Sequence, residues 1–344
     1  MRSMSYVARR GFVVRACIVL LLISLVALLI SLCLGSAGYS FSDVLRVAAA
    51  RLSGAEADPT AELVLLGIRL PRALLAYAVG AALAVSGVLM QGVFHNPMAE
   101  PGLLGVSLGA ALGAALAMLA GLDHSVFGLS AVSACAFVGG ALAVLLAMFI
   151  ARAGRGGTTG LLLCGVAISS FLSAVLSGVL SVNHEKMESV YMWTMGSFAT
   201  ANYHKLLLVV VCLLPGLILS MCLSRDLNAI SAGGDARLLG VDTRFVRMGS
   251  FLLATVMTAA AVCVSGVIGF VGLTAPHAVR RLTGGDHRSL LPLSALAGGL
   301  FLLLADTLSR TLFAPSELPV GVTTSLVGCP LFLTLLRKNR GGRR

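Results

Sequence analysis

Long uncharged apolar runs, not alternating or amphipathic stretches, set the pattern of this chain. They lie at about 16–34, 73–94, 102–120, 125–151, 157–182, 206–223, 248–279, 289–305 and 319–336, with the polar residues gathered between them. An α-helix needs about 17–25 apolar residues to cross a hydrocarbon core of about 30 Å. A membrane barrel would instead show segments of about ten residues alternating in polarity, and these runs are continuous. The pattern therefore predicts an all-α polytopic membrane protein. The run that follows Arg2, Arg9, Arg10 and Arg15 is too long for the apolar region of a signal peptide and reads as the first span.

Nine runs conflict with the two chain ends. The basic amino terminus (1–15) and the basic tail (337–344) both belong on the cytoplasmic side by the positive-inside rule, which demands an even number of crossings. The run 248–279 resolves the conflict. As one helix it would be about 48 Å long, well beyond the hydrocarbon core. Arg244 and Arg247 precede it and Arg280 and Arg281 follow it, so both of its ends lie inside and it crosses twice. Gly266, Gly269 and Gly272 supply the bend, and at least one limb is tilted or partial. The prediction is ten transmembrane helices within 16–336, leaving most of the 25 Lys and Arg inside and most of the 14 acidic residues outside.

Composition agrees with this class. Hydrophobic residues make up 58% of the chain and charged residues 11%, with a mean hydropathy of +0.98. The net charge of +11 does not point to nucleic acid, because the basic residues are not interleaved with aromatics and no soluble domain carries them. The eight cysteines lie in or beside apolar runs without a CxxC pair and read as small buried hydrophobes. There is no GxxxxGK[ST], so the chain does not itself hold ATP by a P-loop.

A few polar positions carry candidate chemistry. The inside segment 224–247 is longer than most connections and holds apolar Leu238, Leu239 and Val241, which marks it as a docking surface for a soluble partner rather than a plain solvated loop. Arg69 and Arg72 flank Pro71 where the chain re-enters the membrane. They are either interfacial arginines that snorkel or a positive rim for acidic groups. Asp306 and Arg310 are spaced for a mutual ion pair, with Arg310 also able to join the outer arginines. Gln91 and Asn96–Pro97 stand at the inner end of the second span as pore-lining or capping groups. His277 has no HExxH or carboxylate pair beside it. The repeat of Val85-Ser86-Gly87-Val88 in Val264-Ser265-Gly266-Val267 is what a duplicated half would leave.

The ordered blocks Arg69-Leu-Pro-Arg72, Ser86-Gly87 with Gln91, Asn96-Pro97, Pro101 with Leu104-Gly105-Val-Ser107, Trp193 with Gly196-Ser197, and Leu239-Gly240 make the chain similar to one family. The later blocks Gly269-Phe-Val-Gly-Leu273, Pro276-His277, Gly285-Asp-His-Arg288, Ala305-Asp306 and Leu318-Pro-Val-Gly321 extend the match to about Leu336. It resembles the iron-complex and cobalamin permeases, the membrane subunits of type II ATP-binding-cassette (ABC) importers. The resemblance implies a ten-helix permease fold in the inner membrane of a bacterium. It implies a homodimer around a central pathway, two separate cassette ATPase subunits, and a periplasmic or lipid-anchored substrate-binding protein. No cofactor or catalytic residue is implied. Arg69, Arg72 and Arg310 match positions that meet the binding protein. Gly234, Asp235, Ala236, Leu238, Leu239, Gly240 and Val241 match the region that couples to the ATPase. Asn96, Met98, Thr158 and Thr159 match inner gates, to which Gln91 adds a pathway candidate. The outer stretch with His184, Tyr191, Tyr203 and His204 departs from the family pattern. The cargo expectation is therefore a ferric siderophore or haem, with cobalamin as the alternative. An ion-coupled secondary transporter is the competing class.

Overall fold

The structure is a computed structural model, and residues 6–35, 38–54, 58–122, 125–126, 129–153, 157–232 and 236–340 are described. Among them run α1 (Tyr6–Cys33), α2 (Phe41–Ser53), α3 (Pro59–Glu62) and α4 (Leu70–Phe94). A π-helical turn over Leu63–Arg69 joins α3 to α4. Pro71 has no N–H for the carbonyl a turn below, and wider π pairing before it takes up that mismatch. Then come α5 (Val106–Leu119), a hairpin of β1 (Ser125–Val126) and β2 (Leu129–Ser130), α6 (Ala131–Ala153), α7 (Gly157–Val182) and α8 (His184–Thr194). The chain ends with α9 (Tyr203–Ser231), α10 (Thr243–Ser265), α11 (Val271–Thr283), α12 (His287–Thr311) and α13 (Val320–Arg340).

The helices pack around α4. Its stretch is 89% buried, against 22% for α1 and 17% each for α7 and α9, so α4 is the axis and the other three face outward. Small residues let its neighbours approach to backbone contact, which is how helices pack tightly where lipid removes the hydrophobic drive. Gly80 meets Gly298 of α12, and Gly87 meets Gly272 of α11. Elsewhere Gly109 of α5 meets Gly139 of α6.

Among the described residues seven helices are long and apolar enough to cross a membrane, with the apolar helices Val106–Leu119 and Val320–Thr334 shorter. The run 248–279 is divided as the charges require. α10 ends at Ser265, residues 266–270 are not helical, and α11 returns as a limb of 13 residues, about 20 Å long. Because Gly272 packs on Gly87, well along α4, α11 begins inside the bundle and crosses only part of it. Irregular backbone at that depth survives only when shielded by protein, and Val267 and Ile268 line an internal cavity there with Gly269. Gly266 has φ +72°, and a Cβ on it would strike the Trp193 carbonyl.

Three features differ from the sequence pattern. α2 and α8 form short helices at the polar connections. α2 is held by a capping box in which Asp43 Oδ2 accepts from Ser40 N at 2.9 Å. α9 runs eight residues past its apolar stretch, because Ser224, Leu227 and Ile230 keep one face buried. The repeated Val-Ser-Gly-Val tetrads are not structural equivalents: Gly87 lies mid-helix, whereas Gly266 terminates one.

Candidate functional site

One end of the bundle gathers the ionic residues. Asp306 on α12 is 1% exposed, and Arg72 grips both its oxygens, with Nη2 to Oδ1 at 2.9 Å and Nε to Oδ2 at 3.1 Å. The remaining Arg72 Nη1 donates to Glu317 Oε1 at 2.9 Å, and Glu317 is 40% exposed. Arg310 Nε stands 3.9 Å from Asp306. The close partner of Asp306 is therefore Arg72, 234 positions away, and not its helix neighbour. Arg310 instead donates to the carbonyls of Ser31 and Leu34. Arg69 donates to the carbonyls of Leu32 and Cys33 and stacks over Tyr39. The last turn of α1 has no basic residue of its own, so its orphan carbonyls take these two guanidinium groups. Truncating Asp306 to alanine would leave Arg310 without its acid and Arg72 with only the half-exposed Glu317, and is expected to destabilise the fold by about 3–5 kcal/mol. The check is thermal unfolding in detergent, where Asp306→Glu should recover part of the loss.

The opposite end holds the connection 224–247. Asn228 binds Asp286 (Nδ2 to Oδ1, 2.7 Å) and accepts from His287 N at 2.8 Å, which clamps the end of α9 to the start of α12. His95 ends α4 in the left-handed region, its ring 2.7 Å from the Ile230 carbonyl. A short 3₁₀ turn at Ala236–Leu239 buries Ala236 but leaves Leu238 and Leu239 86% and 73% exposed, with Gly240 in the left-handed region after it. Val241 N bonds back to the Ala236 carbonyl at 3.2 Å.

Between the two ends, one face of α7 carries Ser169, Ser173 and Ser177 at helical spacing, with Ser170 beside them. They border a groove of about 780 Å³ that Glu100 and Ser107 also line. Ser170, Ser173 and Ser177 are exposed on a single chain.

Comparison with known proteins identifies the family. Residues 21–338 match the model of the FecCD transport family. The chain belongs to the FecCD transport family. The hemin transport system permease HmuU of Yersinia pestis is 43% identical over 81% of this chain and 84% of its own length. The cobalamin import permease BtuC of Halobacterium salinarum is 42% identical over 81% and 74%. A solved structure described as an inward-facing conformation of a metal-chelate type ABC transporter is 34% identical. It superposes with a TM-score of 0.83, covering 94% of this chain and 99% of that one. This FecCD chain is thus a multi-span membrane permease of the ABC importer type, a transport component.

Within the FecCD chain, Asn96 accepts from Met98 N at 2.9 Å and both are exposed at the end of α4, while Gln91 is buried and donates to the Gly272 carbonyl at 3.2 Å. Thr158 and Thr159 open α7, and Thr159 is exposed. Gly234 and Asp235 lie outside the described residues. Tyr203 donates to the Leu66 carbonyl at 2.6 Å, and Tyr191 is exposed. Sequence reasoning missed the serine face of α7, although its spacing of four was visible. It also missed Lys205, whose burial no local pattern announces.

Proposed function

We propose that this permease forms, with a second copy of itself, the translocation pathway of an ATP-driven importer for a chelated metal compound. The observation that carries it is the serine face of α7. Exposed hydroxyls on an otherwise apolar span are out of place against lipid but suit a wetted passage or a facing copy of the same helix. Ten crossings follow if α5, α11 and α13 count with the seven long helices, placing both termini on the cytoplasmic side of a bacterial inner membrane. Leu238 and Leu239 then face the cytoplasm as the contact with a cassette ATPase, and Gly234, Asp235, Ala236, Gly240 and Val241 belong to the same coupling segment of the sequence. Gln91, Asn96, Met98, Thr158 and Thr159 belong to the inner end of the pathway.

A substrate-binding protein docks at the arginine end. Arg72 lies nearest the surface, through its contact with Glu317, and Arg69 and Arg310 support the rim by holding α1. Haem or a ferric siderophore is the favoured cargo, with cobalamin as the alternative. Reconstitution with the partner ATPase and binding protein tests the reading. Cargo should enter vesicles only with ATP, and accumulation by this chain alone would overturn it. Exchanging Ser173 and Ser177 together for leucine is expected to lower uptake by about tenfold or more, a barrier change of about 1.4 kcal/mol. The same exchange should leave ATPase binding intact in a pull-down.

A further inference from the structure

Only three lysines occur in the chain, at 186, 205 and 338. Lys205, in the first turn of α9, is 8% exposed and lines a cavity of about 500 Å³ at the arginine end. The walls come from five helices and include Met118, Ser133, Trp193 and Val264. Lys205 Nζ donates to Thr200 Oγ1 at 2.7 Å, which uses one of its three donors. The acid that shares the cavity, Glu317, is held by Arg72 at 2.9 Å, and no carboxylate among the described residues pairs with Lys205. A buried ammonium without a counter-charge is unfavourable, so an incoming anion there removes an existing penalty.

The cavity's chemistry narrows that anion. One ammonium beside neutral hydroxyls balances a single negative charge, whereas a phosphate monoester brings nearly two and calls for several charged donors. At the start of α9 the Lys205 amide is not available to an anion, because Asn202 Oδ1 already accepts from it at 2.9 Å. Methionine, valine and tryptophan walls ask for an apolar body behind the charged group. We propose that this cavity binds an apolar monocarboxylate, with Lys205 as its ion-pairing donor, Thr200 and Ser133 as flanking hydroxyls and Trp193 as a wall. On the importer reading, from which this takes its purpose, the ligand is one carboxylate arm of the chelate or of its free chelator.

Trp193 is the chain's single tryptophan, so its fluorescence reports on this cavity directly. The test titrates the full chain in zwitterionic nanodiscs with 4-bromobenzoate, whose bromine quenches indole on contact, and with neutral 4-bromobenzamide. Saturable quenching is expected with the acid. It should weaken by about ten- to a hundredfold with the amide or in Lys205→Gln, the range for losing a charged hydrogen bond. Lys205→Arg should stay within a few-fold of the native chain, which separates loss of charge from loss of fold, and Lys186→Gln should not differ. Equal titrations of native and Lys205→Gln protein, or no saturable quenching by the acid, overturn the proposal. Uptake by the assembled transporter reads the other question. A chain that binds the acid but imports no chelate keeps the site and loses the importer reading, and one that imports without the quenching signature does the reverse.

Discussion

Replacing Gly87 by valine is expected to abolish the folded permease. A Cβ at this position would sit on the Gly272 carbonyl and within 2.9 Å of the Gly272 Cα, so backbone meets backbone and no side chain can turn aside. Overpacking a core ordinarily costs about 1–3 kcal/mol because neighbours shift a little. Here the neighbour is the first turn of α11, whose entry is already fixed by the irregular segment 266–270, so the cost should exceed that range. Membrane expression followed by size-exclusion chromatography reads the outcome, with monodisperse protein expected to fall below a tenth of the native yield. Gly178→Ala is the control, since nothing lies within 4 Å of a Cβ there. Normal recovery of Gly87→Val would show that α4 and α11 are not packed as described.

Changing Leu238 and Leu239 together to aspartate is expected to leave the fold intact and disconnect the permease from its ATPase. Both side chains are largely exposed on a single chain, so their loss removes little internal packing. Their burial against a partner would contribute about 3–6 kcal/mol together, at about 1.5–3 kcal/mol per leucine. Uptake should therefore drop by at least about a hundredfold, since each 1.4 kcal/mol is a factor of ten. Co-purification of the ATPase should drop with it, while the thermal midpoint of the permease stays close to native. Coupled uptake with the double variant would show that the 3₁₀ turn is not the contact.

How much of this was legible beforehand differs by feature. The break in the run 248–279 was legible because its length and its two basic flanks are both local, and α10 and α11 separate within that run. The glycines pointed to a bend, but which glycine met which helix was not readable. The ionic residues were legible in part, since the Asp306–Arg310 pair forms at 3.9 Å. Asp306 and Arg310 are one helical turn apart, yet the tighter guanidinium is Arg72, brought in by the crossing of α4 with α12. Likewise Arg69 and Arg310 could be assigned to a rim but not to the carbonyls of α1, since nothing in a sequence says which helix end will lack donors.

The chain by itself determined the class of the protein and the position of its apolar helices. Those follow from run length and charge, properties each segment carries alone when its solvent is a slab of hydrocarbon. Tertiary structure alone decided that α4 is the axis, that α11 starts inside the bundle, that the serines of α7 share one groove, and that Lys205 is enclosed with no carboxylate paired to it among the described residues. These depend on distances between segments far apart in the chain, and helix packing sets such distances through shape, which no single stretch encodes.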